Sequence, residues 1–142
     1  MDRKEFIQQV GSGAVTALLI ACGVGCKKKT TTPTPDPTVP AAPTNVDFTI
    51  DVSTGPLATN GGSLYQNGII VARTNAGAFL AVSQACTHQG TTINFAPFTS
   101  SFLCPNHGAK YSSTGVVTLG PASTNLTKYN TTLNGSSLRV FS

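Results

Sequence analysis

Cys86-Thr87-His88-Gln89-Gly90 and Cys104-Pro105-Asn106-His107-Gly108 carry the densest chemistry in this 142-residue chain. Written as one pattern they read C-x-H-x15-C-x2-H. Together they offer two thiolates and two imidazoles to a metal site. A regular strand turns successive side chains to opposite faces. A Cys and a His that both turn inward from positions this close therefore belong on tight loops. Pro105 sets one backbone dihedral, while Gly90 and Gly108 admit positive φ, so each loop can close and aim its backbone N–H groups inward.

Outward from the loops the pattern is β. Val46, Phe48, Ile50 and Val52 alternate with polar residues, and Asn67-Gly68 and Asn134-Gly135 are strong hairpin signals. Short β-branched or aromatic segments lie at 68–73, 78–84, 101–103, 116–119 and 137–141. Past residue 45 nothing carries a 3.6-residue period. The expectation is an all-β antiparallel sandwich over residues 46–142, with the two metal loops forming a small subdomain near its middle.

A tetrahedral structural zinc and a Cys86–Cys104 disulfide remain as alternatives for the four donors. Zinc fingers usually pair Cys with Cys and His with His at short spacing, and a disulfide leaves both histidines without a role. The spacing instead resembles the Rieske [2Fe-2S] centre. In that family one iron takes two Cys and the other two His, so the resemblance assigns Cys86 and Cys104 to one iron and His88 and His107 to the other. It also implies an antiparallel Rieske-type sandwich and electron transfer.

The likeness extends further. Gly120-Pro121-Ala122 resembles the proline loop that covers the cluster in cytochrome bc-type members. Tyr111 stands where the family places a hydroxyl that hydrogen-bonds a cysteine sulfur. Two departures accompany these matches. Thr91 and Asn106 occupy the places of an extra disulfide found in high-potential members, and Ala109 replaces a serine donor. The resemblance thus implies a potential below that of the disulfide-bearing members, with Tyr111 pulling it back to an intermediate value.

Residues 1–26 read as a targeting segment. Arg3-Lys4-Glu5-Phe6-Ile7 resembles a twin-arginine signal, and Leu19-Ile20-Ala21-Cys22 resembles a lipobox with Cys22 as the lipidated residue. Cys26 is the weaker lipidation candidate. An uncleaved membrane anchor is the other option, because 21 uncharged residues run from Phe6 to Cys26. Residues 27–45 contain five prolines without apolar periodicity, which predicts an extended, solvated linker. The expected protein is exported and tethered to a membrane by lipid or anchor.

Charge narrows the partners. The chain carries a formal +4, but five of its nine basic residues lie at Arg3, Lys4, Lys27, Lys28 and Lys29. From Asn45 onward four basic residues face two acidic ones, a net of +2, which provides no clustered basic face for nucleic acid. No nucleophile with a general base is visible, and 142 residues leave no room for the second, mononuclear-iron domain of an oxygenase. The expected partner is a redox protein, either a cytochrome or an oxidoreductase large subunit, or a quinol. The rival from another class is a non-redox β-sandwich lipoprotein with a structural disulfide.

Overall fold

Ile69-Ile70-Val71-Ala72 is a continuous apolar run, and such a run suits a strand covered on both faces. In the structure, a computed structural model that describes residues 38–142, all four side chains are fully buried. Ile69 and Val71 face one core, with Val46, Ile50, Leu57, Leu138 and Val140. Ile70 and Ala72 face the other, with Ile93, Phe102, Tyr111 and both Cys86 and Cys104. One strand therefore joins the base of the sandwich to the metal loops.

Ten strands make up the described part: β1 (Asp47–Asp51), β2 (Ser63–Gln66), β3 (Ile69–Arg73), β4 (Phe79–Ser83), β5 (Asn94–Ala96), β6 (Ser101–Leu103), β7 (Lys110–Tyr111), β8 (Val117–Leu119), β9 (Asn130–Asn134) and β10 (Ser137–Phe141). They form three antiparallel sheets with orders β1-β10-β9, β2-β3-β4 and β5-β6-β7-β8. This is the all-β antiparallel architecture that the alternation predicts. The third sheet is the small subdomain, and the two metal loops span β4 to β5 and β6 to β7.

β2, β5, β7 and β9 fall outside the segments that the sequence marks, for a physical reason. Asn130-Thr131-Thr132-Leu133-Asn134 is exposed or half-buried along its whole length, so no apolar alternation announces it. Its pairing comes from β10, through the register Leu138↔Leu133. The hairpin turns also differ in kind. Asn67 and Gly68 both have positive φ, whereas at the second hairpin only Gly135 does and Asn134 ends the strand. The first pattern matches a type I′ turn and the second a type II′ turn.

Residues 38–45 depart from the solvated linker predicted for 27–45. The Tyr129 hydroxyl donates to the Pro43 carbonyl at 2.8 Å, and Val39, Pro40, Ala41 and Ala42 line a cleft whose opposite wall includes Thr87, Thr124 and Thr127. Gly68 and Gly90 make room for this strap. A Cβ on Gly68 would lie 2.9 Å from Pro43 Cγ, and one on Gly90 would lie 2.6 Å from Pro40 Cδ. A run of Val, Pro and Ala has apolar area to bury, which composition read only as proline content conceals. The targeting segment, Cys22 and the remainder of the linker lie outside the described residues. Among the described residues no helix is long and apolar enough to cross a membrane.

Candidate metal centre

The two loops repeat one backbone design despite their different Cys-to-His spacing. In the first, Gly90 N–H donates to the Cys86 carbonyl at 2.7 Å and Cys86 N–H donates to the Thr91 carbonyl at 2.8 Å. In the second, Gly108 N–H donates to the Cys104 carbonyl at 3.0 Å and Cys104 N–H donates to the Ala109 carbonyl at 2.8 Å. Gly90 and Gly108 both have φ of 75°, the left-handed region that glycine enters at little cost. Each loop thus presents its cysteine from one fixed position. Its histidine is carried on the bulge between that cysteine and the glycine.

The donors separate by depth. Cys86 and Cys104 are each 1% exposed and pack in the core with Phe102 and Ile93, while His88 is half-buried and His107 is exposed. Both thiols are free, so the disulfide alternative is not realised. The Cys104 side chain contacts Cys86, and His88 Nδ1 lies 3.2 Å from His107 Nδ1 with the rings edge-on. Burial pushes the Cys104 thiol up, but backbone N–H groups of His107 and Asn106 with the Cys86 and Thr91 side chains outweigh it, leaving the pKa below the ordinary thiol value. Those amides favour the charged form of the sulfur.

This donor set fits a two-iron group. Among the described residues no three His, Cys, Asp or Glu side chains gather as a single-ion site. The donors fall instead into a thiol pair and an imidazole pair, as two metal ions with separate ligand pairs need and a lone tetrahedral zinc does not. Nitrogens 3.2 Å apart suit neighbouring positions on one ion, given metal–imidazole bonds of about 2.0–2.1 Å. The carboxylates of Asp47 and Asp51 are engaged elsewhere, on Arg139 and Ser53, and take no part.

Tyr111, on β7, is fully buried beneath the first loop, and its hydroxyl lies 3.2 Å from Cys86 Sγ. Burial first, and the Cys86 contact next, push its pKa up to about 12, so the hydroxyl keeps its proton. Thr87 completes the arrangement, a residue the ligand pattern passes over. Its N–H donates to the Tyr111 oxygen at 3.2 Å, and its own hydroxyl donates to the Thr124 carbonyl at 2.6 Å. Thr87 therefore ties the first loop to the segment that follows Gly120 and Pro121. That segment anchors itself through buried Ala122, while Gly120 and Pro121 stay exposed. Only a threonine midway between the cysteine and the histidine hinted at this link.

The two loop glycines should respond differently to substitution. Gly108→Ala introduces only left-handed strain, about 1 kcal/mol, since nothing lies within 4 Å of a Cβ there. Gly90→Ala adds a 2.6 Å collision with the Pro40 ring to the same strain, so the strap or the loop must shift. Denaturant titration of both variants is expected to find Gly90→Ala the less stable by a further 1–3 kcal/mol or so. Equal losses would show that the strap leaves the loop without resistance.

An antiparallel all-β domain that presents two cysteines and two histidines on twin loops defines the class of small iron–sulfur electron carriers. Residues 44–130 match the family model for the Rieske [2Fe-2S] domain, and the chain belongs to that family. Its cofactor is accordingly a [2Fe-2S] cluster. The cytochrome b6-f complex iron-sulfur subunit of Chlorobaculum thiosulfatiphilum is 35% identical over 71 residues, half of this chain and 39% of that protein. The subunit of the same name from Chlorobaculum tepidum is 28% identical, across 98% of this chain and 75% of its own length. Among solved structures, the ferredoxin of carbazole 1,9a-dioxygenase from Nocardioides aromaticivorans shares the fold, with a TM-score of 0.51 and 21% identity over 58% of this chain and 86% of that one.

Proposed function

We propose that this protein passes single electrons through one Rieske cluster, with Cys86 and Cys104 holding the inner iron and His88 and His107 the outer one. The observation that carries this reading is the split in depth between buried thiols and surface imidazoles. When bound, the cluster supplies a one-electron couple in the range of roughly −150 to +300 mV. The protein's own contribution is positional. The core around Cys86 and Cys104 excludes water, the paired loop hydrogen bonds keep the ligands from rearranging, and His107 brings a ring edge to the surface where a partner can approach. Tyr111 donates to Cys86, while Thr87 holds the segment that follows Gly120 and Pro121.

The relatives' names, iron-sulfur subunits of a cytochrome b6-f complex, support a place beside a cytochrome, with a redox protein or a quinol as the partner. In this reading the chain is exported and tethered through lipid on Cys22, with residues 38–45 resting against the domain. The reading is tested on full-length protein made with ample iron. Two irons and two sulfides per chain, with a paramagnetic signal on reduction, are expected. Protein without iron or sulfide would favour the structural lipoprotein. The midpoint should fall inside the window of roughly −150 to +300 mV, and a value at its upper end would contradict the weight given to Thr91, Asn106 and Ala109.

A further inference from the structure

The strap that precedes β1 stands against the first metal loop. At Gly90 an added Cβ would lie 2.6 Å from Pro40 Cδ and 3.2 Å from the Thr38 carbonyl oxygen. Gly90 is also the residue whose N–H closes the loop onto the Cys86 carbonyl, at 2.7 Å. Movement of the loop on that side is blocked by the Pro40 ring. The strap itself is lightly held. Pro40 and Pro43 carry no N–H for a sheet ladder, and Thr44 and Asn45 are exposed. Two clefts, of about 400 and 280 Å³, run beside it, with Pro40, Ala41 and Ala42 in the wall of both. Its fastening is the Tyr129 hydroxyl, which donates to the Pro43 carbonyl at 2.8 Å. Between the strap and β1, Asn45 has a φ of 54°, a left-handed turn that asparagine enters more readily than most side chains.

We propose that residues 38–43 form a latch, pivoting at Asn45 and fastened by Tyr129, that must lift before the first metal loop can open, so that it controls release of the metal group. This rests on Cys86 and His88 being iron ligands, as proposed above. A ligand leaves its metal only when its loop moves, and the bond between Gly90 and Cys86 ties the ligand to the residue that the strap covers. Release then passes through the lifted state, and its rate follows the population of that state. A single side-chain bond beside two clefts keeps that state within reach. Tyr129 separates latch from loop as a point of attack. It packs with Ile69, Val71 and Leu138 in the core that does not contain the cysteines, and its link to the first loop runs through Pro43 and the strap.

The test compares full-length wild type with Tyr129→Phe, Gly90→Ala, Gly108→Ala and Leu138→Val. Lifting is read from elastase cleavage after Ala41, within Val39-Pro40-Ala41, by the mass of the product that begins at Ala42. Release is read from loss of the iron–sulfur absorption under excess iron chelator. Phenylalanine keeps the Tyr129 ring and removes the fastening bond. It is expected to raise cleavage about fivefold and to raise iron release by the same factor. Gly90→Ala should raise cleavage about tenfold or more by displacing Pro40, whereas Gly108→Ala, with the same strain in open space, should stay within about twofold of wild type. Leu138→Val, which thins the same core as Tyr129 within β10, is the control and should move neither rate. Unchanged cleavage in Tyr129→Phe, or raised cleavage with the wild-type rate of iron release, overturns the proposal. So does equal cleavage of the two glycine variants, or a rise of both rates in Leu138→Val as large as in Tyr129→Phe, which would assign release to general unfolding. If Gly90→Ala does not fold, the two rates of Tyr129→Phe decide. A wild-type protein that never binds iron refutes the ligand assignment, a separate failure, and with it the control of release.

Discussion

Replacing His107 with alanine should abolish the iron–sulfur spectrum while the fold survives intact. His107 is exposed, and the ring contact it makes is the edge-on approach to His88 at 4.8 Å between centroids. Its removal takes nothing from either hydrophobic core, so apo variant and apo wild type should unfold within about 0.5 kcal/mol of each other. The loss at the metal site is of another order. His88 alone leaves the outer iron with one protein ligand, and the second loop would supply only Cys104. Iron and sulfide analysis, visible absorption and the paramagnetic signal of the reduced protein provide the measurement. A variant that retains the signal would remove His107 from the ligand set and leave the two-iron reading without support.

Tyr111→Phe should lower the midpoint and the stability together. The ring remains in the core, since phenylalanine fills the same fully buried volume. The hydroxyl, however, is a junction: it lies 3.2 Å from Cys86 Sγ, accepts from Thr87 N–H at 3.2 Å and approaches Thr87 Oγ1 at 3.1 Å. Because the Thr87 hydroxyl proton is committed to the Thr124 carbonyl, the Tyr111 proton is the one available to the sulfur. Deleting it leaves the Thr87 amide without this partner, a loss of about 1–3 kcal/mol in folding stability. A hydrogen bond to a charged acceptor contributes about 1.5–3 kcal/mol, of which the share that differs between redox states appears in the potential. A tenfold shift in the equilibrium, about 59 mV downward, is the expected size. Stability lost without a change of midpoint would show that the hydroxyl serves Thr87 and not the sulfur.

These effects bear on the position of the chain within its family. The Tyr111 hydroxyl meets the Cys86 sulfur, while Thr87 fastens the first loop to Thr124 and Thr91 fastens it to Asn106 of the second loop. Substitutions at Thr87 and Thr91 are therefore expected to loosen the loops, and a substitution at Tyr111 to move potential and local stability together.

Much of this protein is legible in local spacing. The Cys and His clusters, their glycines and the alternation at Val46, Phe48, Ile50 and Val52 depend on residues a few positions apart, and such patterns mark two tight loops in an all-β domain before any coordinate is known. The left-handed conformation of Gly90 and Gly108 belongs to that layer. The exposed strand β9 does not, because its partner rather than its own composition makes it a strand.

Contacts between distant segments settle the remainder. Local order says nothing of which donor lies deep and which lies at the surface, that Tyr111 reaches Cys86 across 25 positions, or that Asn106 meets Thr91 across 15. Nor does it place the prolines near residue 40 against Gly90. Those facts arise when β3 is buried on both faces and draws two loops over one core. A hydrogen bond between remote positions leaves no periodic trace along the chain; it exists only once packing has brought its two ends together.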